Sequence, residues 1–338
     1  MYDGLKLSII IVNYRSSKYI VDCIQSALAC NSDNPFEWIV VDNASYDESK
    51  SIITKRFPFV KWIDMNYNAG FARANNEGIR QSTGEVVLLL NPDTIVQNNA
   101  LQRCFEKFIL TEDAACGVQL LNPDGTAQIS GNFFMKGGIN HLLALPYWGN
   151  FLRWIAFAIN TKKPNVLQAS NQEKVDWISG AFLMVKKWAI EKAGMMDEDF
   201  FLYAEEIEWC SRLKKIGNLS IYGDIQMIHL LGETIKDATQ TEDKTYFNLF
   251  DKKGLQLLVS NHVRIKKQFG VFWFFIQLLN CSFAVPVFFI CSIIDHLIHF
   301  QYPFKDWKRI KSLALNVFEV WKLTPIILRN RAHFYKIL

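Results

Sequence analysis

The stretch VVLLLNPDT, residues 86 to 94, sets an acidic side chain where it can act. Val86 to Leu90 are branched aliphatics in an unbroken run, the pattern of a strand covered on both faces. Pro92 donates no ladder hydrogen bond and must end that strand. In an open α/β sheet, ligands lie in the crevice beyond the carboxyl ends of the strands, which is where Asp93 falls. Earlier apolar runs end in the same manner: SIIIV at Asn13, WIVV at Asp42, and VKWI shortly before Asn68 and Gly70. Any one of these residues alone reads as a turn former or helix cap. Their recurrence at successive strand ends outlines one crevice. No G-x-G-x-x-G follows the first run and no G-x-x-x-x-G-K-[ST] occurs, which argues against a dinucleotide dehydrogenase and a P-loop NTPase. Phosphate charge in such a crevice is then met by a hard divalent cation on carboxylate oxygen, with Asp93 the expected ligand.

The elements that must position these residues follow from periodicity. Strands are predicted over 7–12, 38–41, 60–63 and 86–90. Between them lie helical patterns: Ile20, Ile24, Ala27 and Leu28 after Ser16 and Ser17; Ile52 and Ile53 after a capping Ser45; Phe71, Ala74 and Ile79 after Asn68-Ala69-Gly70. Such alternation implies right-handed βαβ units and a mostly parallel sheet. A second block, 177 to 217, ends in a helix with Ile207, Cys210, Leu213 and Ile216 on one side and Glu208 and Arg212 as an i,i+4 pair. Gly217 stops it. A polar stretch from Gly232 to Lys244 reads as a linker or mobile loop.

Bulk properties narrow the class. At 338 residues the chain exceeds the usual single domain, so two parts are expected: a catalytic domain over 1–235 and a helical, membrane-associating region over 236–338. The formal charge of +4 is too small for a polybasic nucleic-acid binder. Seven cysteines, scattered and without a C-x-x-C pair, suit a reduced, cytosolic compartment. The start MYDGLKLSIIIVNYR lacks the features of a signal peptide. The apolar excess gathers after residue 245. From Val271 to Ile294 no residue is charged, and a helix over that run reaches about 36 Å, enough to cross a bilayer core. Basic residues flank both ends, Arg264, Lys266 and Lys267 before it and Lys305, Lys308, Arg309 and Lys311 after. A hairpin dipping into the cytoplasmic leaflet, bent at Pro286, would keep both flanks on the favoured side.

Taken together, SIIIVNYRS, WIVVDNASYD, NAGFARANNEGI, VVLLLNPDT, WISGAFLMVKK, DEDFFLYAEEIEWCSRL and MIHLLGET resemble, in order and spacing, the motifs of family 2 glycosyltransferases. The likeness covers residues 7 to about 235. It is strongest to the rhamnosyltransferase-like branch, which carries Asn-Pro-Asp where other members have Asp-x-Asp. The resemblance implies a GT-A fold, a Rossmann-like mostly parallel sheet flanked by helices, here followed by an apolar helical region.

The resemblance also implies roles. Asn13 and Asp42 would contact the nucleotide, Asp42 reaching its base. The segment from Asn68 through Gly70 to Asn76 would close over nucleotide and sugar. Asp93 would hold Mn²⁺ or Mg²⁺ on the diphosphate, joined by His229, whose imidazole favours Mn²⁺. Trp177, Ser179 and Gly180 would lie on the acceptor side, an indole stacking on a sugar and a glycine letting the chain approach closely. Glu206 matches the family's catalytic aspartate with one methylene more, so Glu205 shares candidacy for the base. The implied reaction is inverting transfer from a nucleoside-diphosphate sugar, dTDP-rhamnose favoured, to a glycan hydroxyl. The apolar tail adds an acceptor linked to polyprenyl diphosphate, at the cytoplasmic face of the cell membrane, for O-antigen, capsule or another surface glycan. No nucleic acid is expected as a partner. The competing readings are a catalytically silent membrane scaffold, which the Glu206 departure keeps open, and a nucleotidyltransferase, which lacks support because VNYRSSKY is not a Gly-rich basic loop.

Overall fold

The structure is a computed structural model that describes residues 6–30, 36–159, 165–230, 248–329 and 331–338. The predicted linker from 232 to 244 and the expected boundary at 235 lie outside them. The chain forms two compact units. The first comprises Met1–Phe133, Asn165–Glu198 and Glu205–Glu242, the second Phe134–Pro164, Asp199–Ala204 and Asp243–Leu338. Of the described residues, 134–159 and 199–204 group with the C-terminal helices.

The first unit opens with β1 (Leu7–Asn13), α1 (Ser17–Cys30), β2 (Glu37–Asp42), α2 (Ser49–Arg56), β3 (Lys61–Asp64), α3 (Gly70–Gln81), β4 (Val86–Leu90), β5 (Thr94–Ile95), α4 (Ala100–Ile109) and β6 (Ala115–Leu121). It continues, after α5 (Trp148–Ala158) of the second unit, with β9 (Gln172–Val175), β11 (Phe182–Lys186), α6 (Lys187–Ala193), α7 (Glu205–Ile216) and β12 (Leu219–His229). A small separate sheet joins β7 (Gly131–Asn132), β8 (Asn165–Val166) and β10 (Trp177–Ile178).

The main sheet runs β3-β2-β1-β4-β11-β6-β12-β5, with β9 also on β12. The pairs β1 with β2, β1 with β4 and β2 with β3 are parallel, as the alternation predicts. Beyond β4 the sheet is mixed rather than mostly parallel: β11 inserts antiparallel between β4 and β6, and β5 and β9 pair antiparallel with β12. Strand order reverses between β1 and β4, the switch point at which such sheets hold ligands. Asn13, Asp42 and Asp93 are at the carboxyl ends beside it.

Alternation along the strands feeds two cores. Ile9, Ile11, Leu88 and Leu90 pack with α1 and α4 on one face. Ile10, Ile39, Val87 and Leu89 pack with α3, α6 and α7 on the other. Leu89 is fully buried in the central strand, so Leu89→Ala is expected to cost about 2–5 kcal/mol from lost transfer energy and the remaining cavity. Urea unfolding followed by circular dichroism measures it, and a loss below about 1 kcal/mol would contradict this packing.

In the second unit, α8 (Lys252–Phe269), α9 (Val271–Ile298) and α10 (Trp307–Leu328) surround a core of Leu257, Val263, Phe274, Leu278, Phe288, Leu313 and Val317. The Asp251 carboxylate caps α8 by accepting from the Gly254 amide at 2.8 Å. The expected hairpin turn at Pro286 does not occur: α9 continues through it as one helix, and the helical pair is made instead by α9 and α10. Proline deletes one helix hydrogen bond, at about 3 kcal/mol or more. Burial of Phe274, Leu278, Cys281, Ala284 and Phe288 along one side of the helix offsets that loss. The opposite side, with Phe272, Leu279, Phe283, Ile290 and Ile294, is exposed. Among the described residues, α9 is the helix long and apolar enough to cross a membrane.

Candidate active site

Asp93 is 1% exposed, and among the described residues neither carboxylate oxygen has a hydrogen-bond partner. A buried carboxylate without donors is costly to maintain unless a cation answers it. Its neighbour is set by sheet register. Thr94 pairs with His229, the last residue of β12, and the Leu230 amide donates to the Asp93 carbonyl at 2.9 Å. That register brings His229 Nε2 to 3.4 Å from Asp93 Oδ1.

Gln128 decides which imidazole nitrogen faces the carboxylate with a lone pair. Its amide nitrogen donates to the His229 carbonyl at 2.7 Å and to Asn122 Oδ1 at 2.8 Å. Its Oε1, left as acceptor, lies 3.0 Å from His229 Nδ1. In neutral imidazole the proton therefore sits on Nδ1, and Nε2 turns its lone pair toward Asp93. When the imidazole is neutral, its Nε2 and a carboxylate oxygen 3.4 Å away can share a cation, and a histidine oriented through its other nitrogen is typical of metal ligation. Among the described residues no cluster of three or more His, Cys, Asp or Glu side chains forms a metal cage. A divalent ion held by Asp93 and His229 would leave its other positions to substrate oxygen and water, which fits Mg²⁺ or Mn²⁺.

The nucleotide side of the crevice is braced in layers. Asn13 is fully buried; its Nδ2 donates to Asp42 Oδ1 at 2.6 Å and to Ser45 Oγ at 3.0 Å, while its Oδ1 accepts from Ser16. Ser45 donates to Asp42 through both amide and hydroxyl. Asn13 therefore orients Asp42. Ser45, predicted as the cap of α2, is spent here instead, and Glu48 stands at that cap without a side-chain bond. Asn68 Oδ1 accepts from Asn43 at 3.0 Å and from the Gly70 amide at 3.2 Å. Gly70 takes a φ of 76°, which favours glycine. Asn76 points elsewhere. It is buried, donating to the Met196 carbonyl at 2.9 Å and Glu198 Oε1 at 3.0 Å and accepting from the Met196 amide at 3.0 Å. These bonds tie α3 to the 193–198 segment, which Trp209 and Arg212 of α7 also grip through the carbonyls of Gly194 and Ala193. Asn76 is thus a brace within the protein.

At the start of α7 the paired glutamates differ. Glu205 is buried, and burial, then the charge of Glu206, holds its pKa well above the usual carboxylate range. Glu206 is half-buried. A methyl group built on Gly180 would lie 3.6 Å from Glu206 Cβ and Cγ and 3.8 Å from Phe71, so this glycine and Glu206 are packed together. Tyr203 and Ala204, the two residues before α7, have φ of 71° and 68°, a conformation that costs non-glycine residues roughly 1–3 kcal/mol each and concentrates at functional sites.

The Asp93 and Glu206 segments are connected through the backbone at the carboxyl end of β4. Leu90 is in register with Phe182, and the Asn91 amide donates to the Ala181 carbonyl at 3.0 Å. Ala181 follows Gly180, which abuts Glu206, and Asn91 lies two residues before Asp93. Ser179 is in the same turn, its amide on the Ser130 carbonyl, and half-buried Trp177 pairs with Asn132 in the small sheet. Linear reading missed Gln128, Asn43 and Ser45 as site residues, because their meaning depends on strands far away in sequence.

Residues 8–165 match the family described as Glycosyl transferase family 2. Similar proteins include the low-salt glycan biosynthesis hexosyltransferase Agl10 of Haloferax volcanii, 29% identical over 70% of this chain and 70% of that one. The N-acetylglucosaminyl-diphospho-decaprenol L-rhamnosyltransferase of Mycobacterium tuberculosis is 26% identical over 64% of this chain and 73% of its own. In fold the chain is similar to a mannosyltransferase from Pyrobaculum calidifontis solved with GDP-Man and Mn²⁺, with a TM-score of 0.54 at 13% identity over 93% of this chain and 86% of the other. The fold is GT-A. Residues 8–165 belong to glycosyl transferase family 2.

Proposed function

We propose that this protein moves a sugar, rhamnose favoured, from a nucleoside-diphosphate donor to a hydroxyl of a lipid-linked glycan, with inversion, at the cytoplasmic face of the membrane. The observation that carries the reading is the buried carboxylate of Asp93, without a hydrogen-bond donor among the described residues and 3.4 Å from Nε2 of His229. When bound there, a divalent ion supplies charge neutralisation for the departing diphosphate. The protein's own residues do the rest. Asp42, held by Asn13 and Ser45, accepts hydrogen bonds from the nucleotide. Glu206 takes the proton from the acceptor hydroxyl as that oxygen attacks the anomeric carbon, and Gly180 leaves the acceptor room beside it. With no carboxylate among the described residues assigned as a nucleophile, the proposed route is a single displacement.

Rhamnose and the lipid-linked acceptor draw support from the mycobacterial relative, whose name includes both a rhamnosyl donor group and a decaprenol-linked acceptor. Membrane residence draws support from the exposed apolar side of α9. Incubating the protein with dTDP-, UDP- and GDP-sugars, Mn²⁺ and a prenyl-diphosphate-linked N-acetylhexosamine is expected to release nucleoside diphosphate, with dTDP-rhamnose the best donor, and chromatography of the nucleotide product reads it. Release of pyrophosphate would mean a nucleotidyltransferase. No product from any donor would favour the silent scaffold.

A further inference from the structure

The second unit holds a pocket that the transfer reaction does not use. It measures about 190 Å³ and is lined by Asp199, Val263, Lys266, Lys267, Ile327, Arg331 and Tyr335. Lys266 and Lys267 are in the last turn of α8, and Arg331 comes just after α10. The acidic member of the lining is already engaged: Asp199 accepts from Lys267 at 2.6 Å and from the His333 amide at 2.9 Å. Among the described residues, neither the Lys266 ammonium nor the Arg331 guanidinium has a carboxylate partner.

Basic residues in a helix's last turn ordinarily answer the macrodipole from solvent. Lys266 does so while only 7% exposed, and burial, then the charge of Lys267, lowers its pKa. An anion in the pocket would relieve both penalties. The space accommodates a few waters or one small polyatomic anion. Its surroundings indicate the source of that anion. Gly270, at φ 91°, turns the chain from Lys266 and Lys267 directly into α9, whose exposed side begins at Val271 and Phe272 and runs on through Leu279, Phe283, Ile290 and Ile294. That side continues onto α5, where Trp148 packs edge-on against Phe283 at 4.8 Å, and toward α10, where Trp321 donates to Ser282 at 2.9 Å. A cationic pocket at the end of an apolar helix face has the composition of a lipid interface, with headgroup charge beside acyl chains.

We infer that Lys266, Lys267 and Arg331 bind the phosphomonoester or diphosphate headgroup of a membrane lipid. A free phosphate shares that chemistry, and the test separates the two sources. It measures binding alone, so its failure leaves the transferase reading untouched. Full-length protein is co-sedimented with phosphatidylcholine vesicles doped either with a polyprenyl monophosphate or, at matched total charge, with phosphatidylglycerol, and is separately titrated with inorganic pyrophosphate. Wild type is expected to favour the monophosphate vesicles by about tenfold, the scale of a charge-assisted hydrogen bond. Lys266→Met, which keeps the apolar stem, and Arg331→Met, at an exposed site, should each abolish that preference while leaving phosphatidylglycerol binding unchanged. Lys322→Met, at an exposed lysine paired with Glu319, should leave the preference intact. Equal preference in wild type and both pocket variants would overturn the inference. So would pyrophosphate binding that needs Lys266 in a protein whose vesicle binding ignores the monophosphate, since the pocket would then serve a soluble anion.

Discussion

Glu206→Gln is expected to lower the rate of sugar transfer at saturating substrates by about 10²- to 10⁴-fold, the range spanned by removal of a general base. Metal-supported nucleotide binding should remain, because Glu206 packs against Gly180, proposed to face the acceptor, and is not among the proposed metal ligands. Glu205 gives the contrast. Its carboxyl is buried, one oxygen has no hydrogen-bond partner among the described residues, and burial, then the charge of Glu206, raises its pKa well above the usual carboxylate range, which favours the protonated form and weakens it as a base. A carboxyl whose burial raises its proton affinity leaves the base role to its half-buried neighbour. Glu205→Gln, nearly isosteric with the protonated acid, should therefore retain most activity. Stability against pH adds an independent readout. A carboxyl whose pKa is raised on folding contributes stability that is full below the ordinary carboxylate range and is lost as pH rises through the raised value. Glu205→Gln keeps a neutral group at every pH and should flatten that loss. Nucleoside diphosphate release gives the rates, and thermal melts across pH give the stability. An inactive Glu205→Gln beside an active Glu206→Gln would exchange the two roles, and full activity in both would remove acid-base catalysis from this helix.

Legibility in the sequence follows the range of the interaction that fixes each feature. The strands from β1 to β4 and helix α7 were readable because a local period states them, and β4 spans Val86–Leu90 as the aliphatic run implied. The Glu208 and Arg212 pair, one helical turn apart, formed at 2.8 Å. What local pattern could not state was the placement of β11. Its run FLMVK would suit any buried strand, and only pairing with β4 and β6 sets its antiparallel direction. Ser45 fits a helix cap as well as it fits a partner for Asp42, and the choice depends on Asn13 arriving from β1. Gln128 follows an NPDG turn with no periodic signal, and its importance comes from a histidine 101 residues away. That α9 runs on as one helix through Pro286 has a related reason: proline reports the loss of one backbone bond, whereas packing along the whole inner side of α9 decides whether the helix survives it. The division into units was hidden likewise, because 134–159 joins the C-terminal helices through tertiary contacts such as Trp148 with Asn280.

Asp93→Asn should produce a reversal of sign that a merely structural carboxylate would not show. In wild type without metal, the carboxylate is buried with no donor among the described residues, 3.4 Å from Nε2 of His229. The amide removes the buried charge and brings two N–H donors, one of which can meet His229 Nε2. Relief of an unsatisfied buried group is worth about 1–3 kcal/mol, so the metal-free variant should melt at or above the wild-type temperature. Adding Mn²⁺ with dTDP or UDP reverses the order. A ligand at about a hundred times its dissociation constant stabilises wild type by about 2.7 kcal/mol through mass action, whereas the variant, lacking the anionic ligand, should gain little. Transfer should fall with it, since neutralisation of the leaving diphosphate depends on the same carboxylate. The same melts on His229→Gln should show an intermediate response, because Asp93 keeps its charge there while the second ligand is lost. If Asp93→Asn instead destabilises the metal-free protein and leaves the response to Mn²⁺ and nucleotide intact, Asp93 supports the fold of the β4 edge and the metal, if one is used, is held elsewhere.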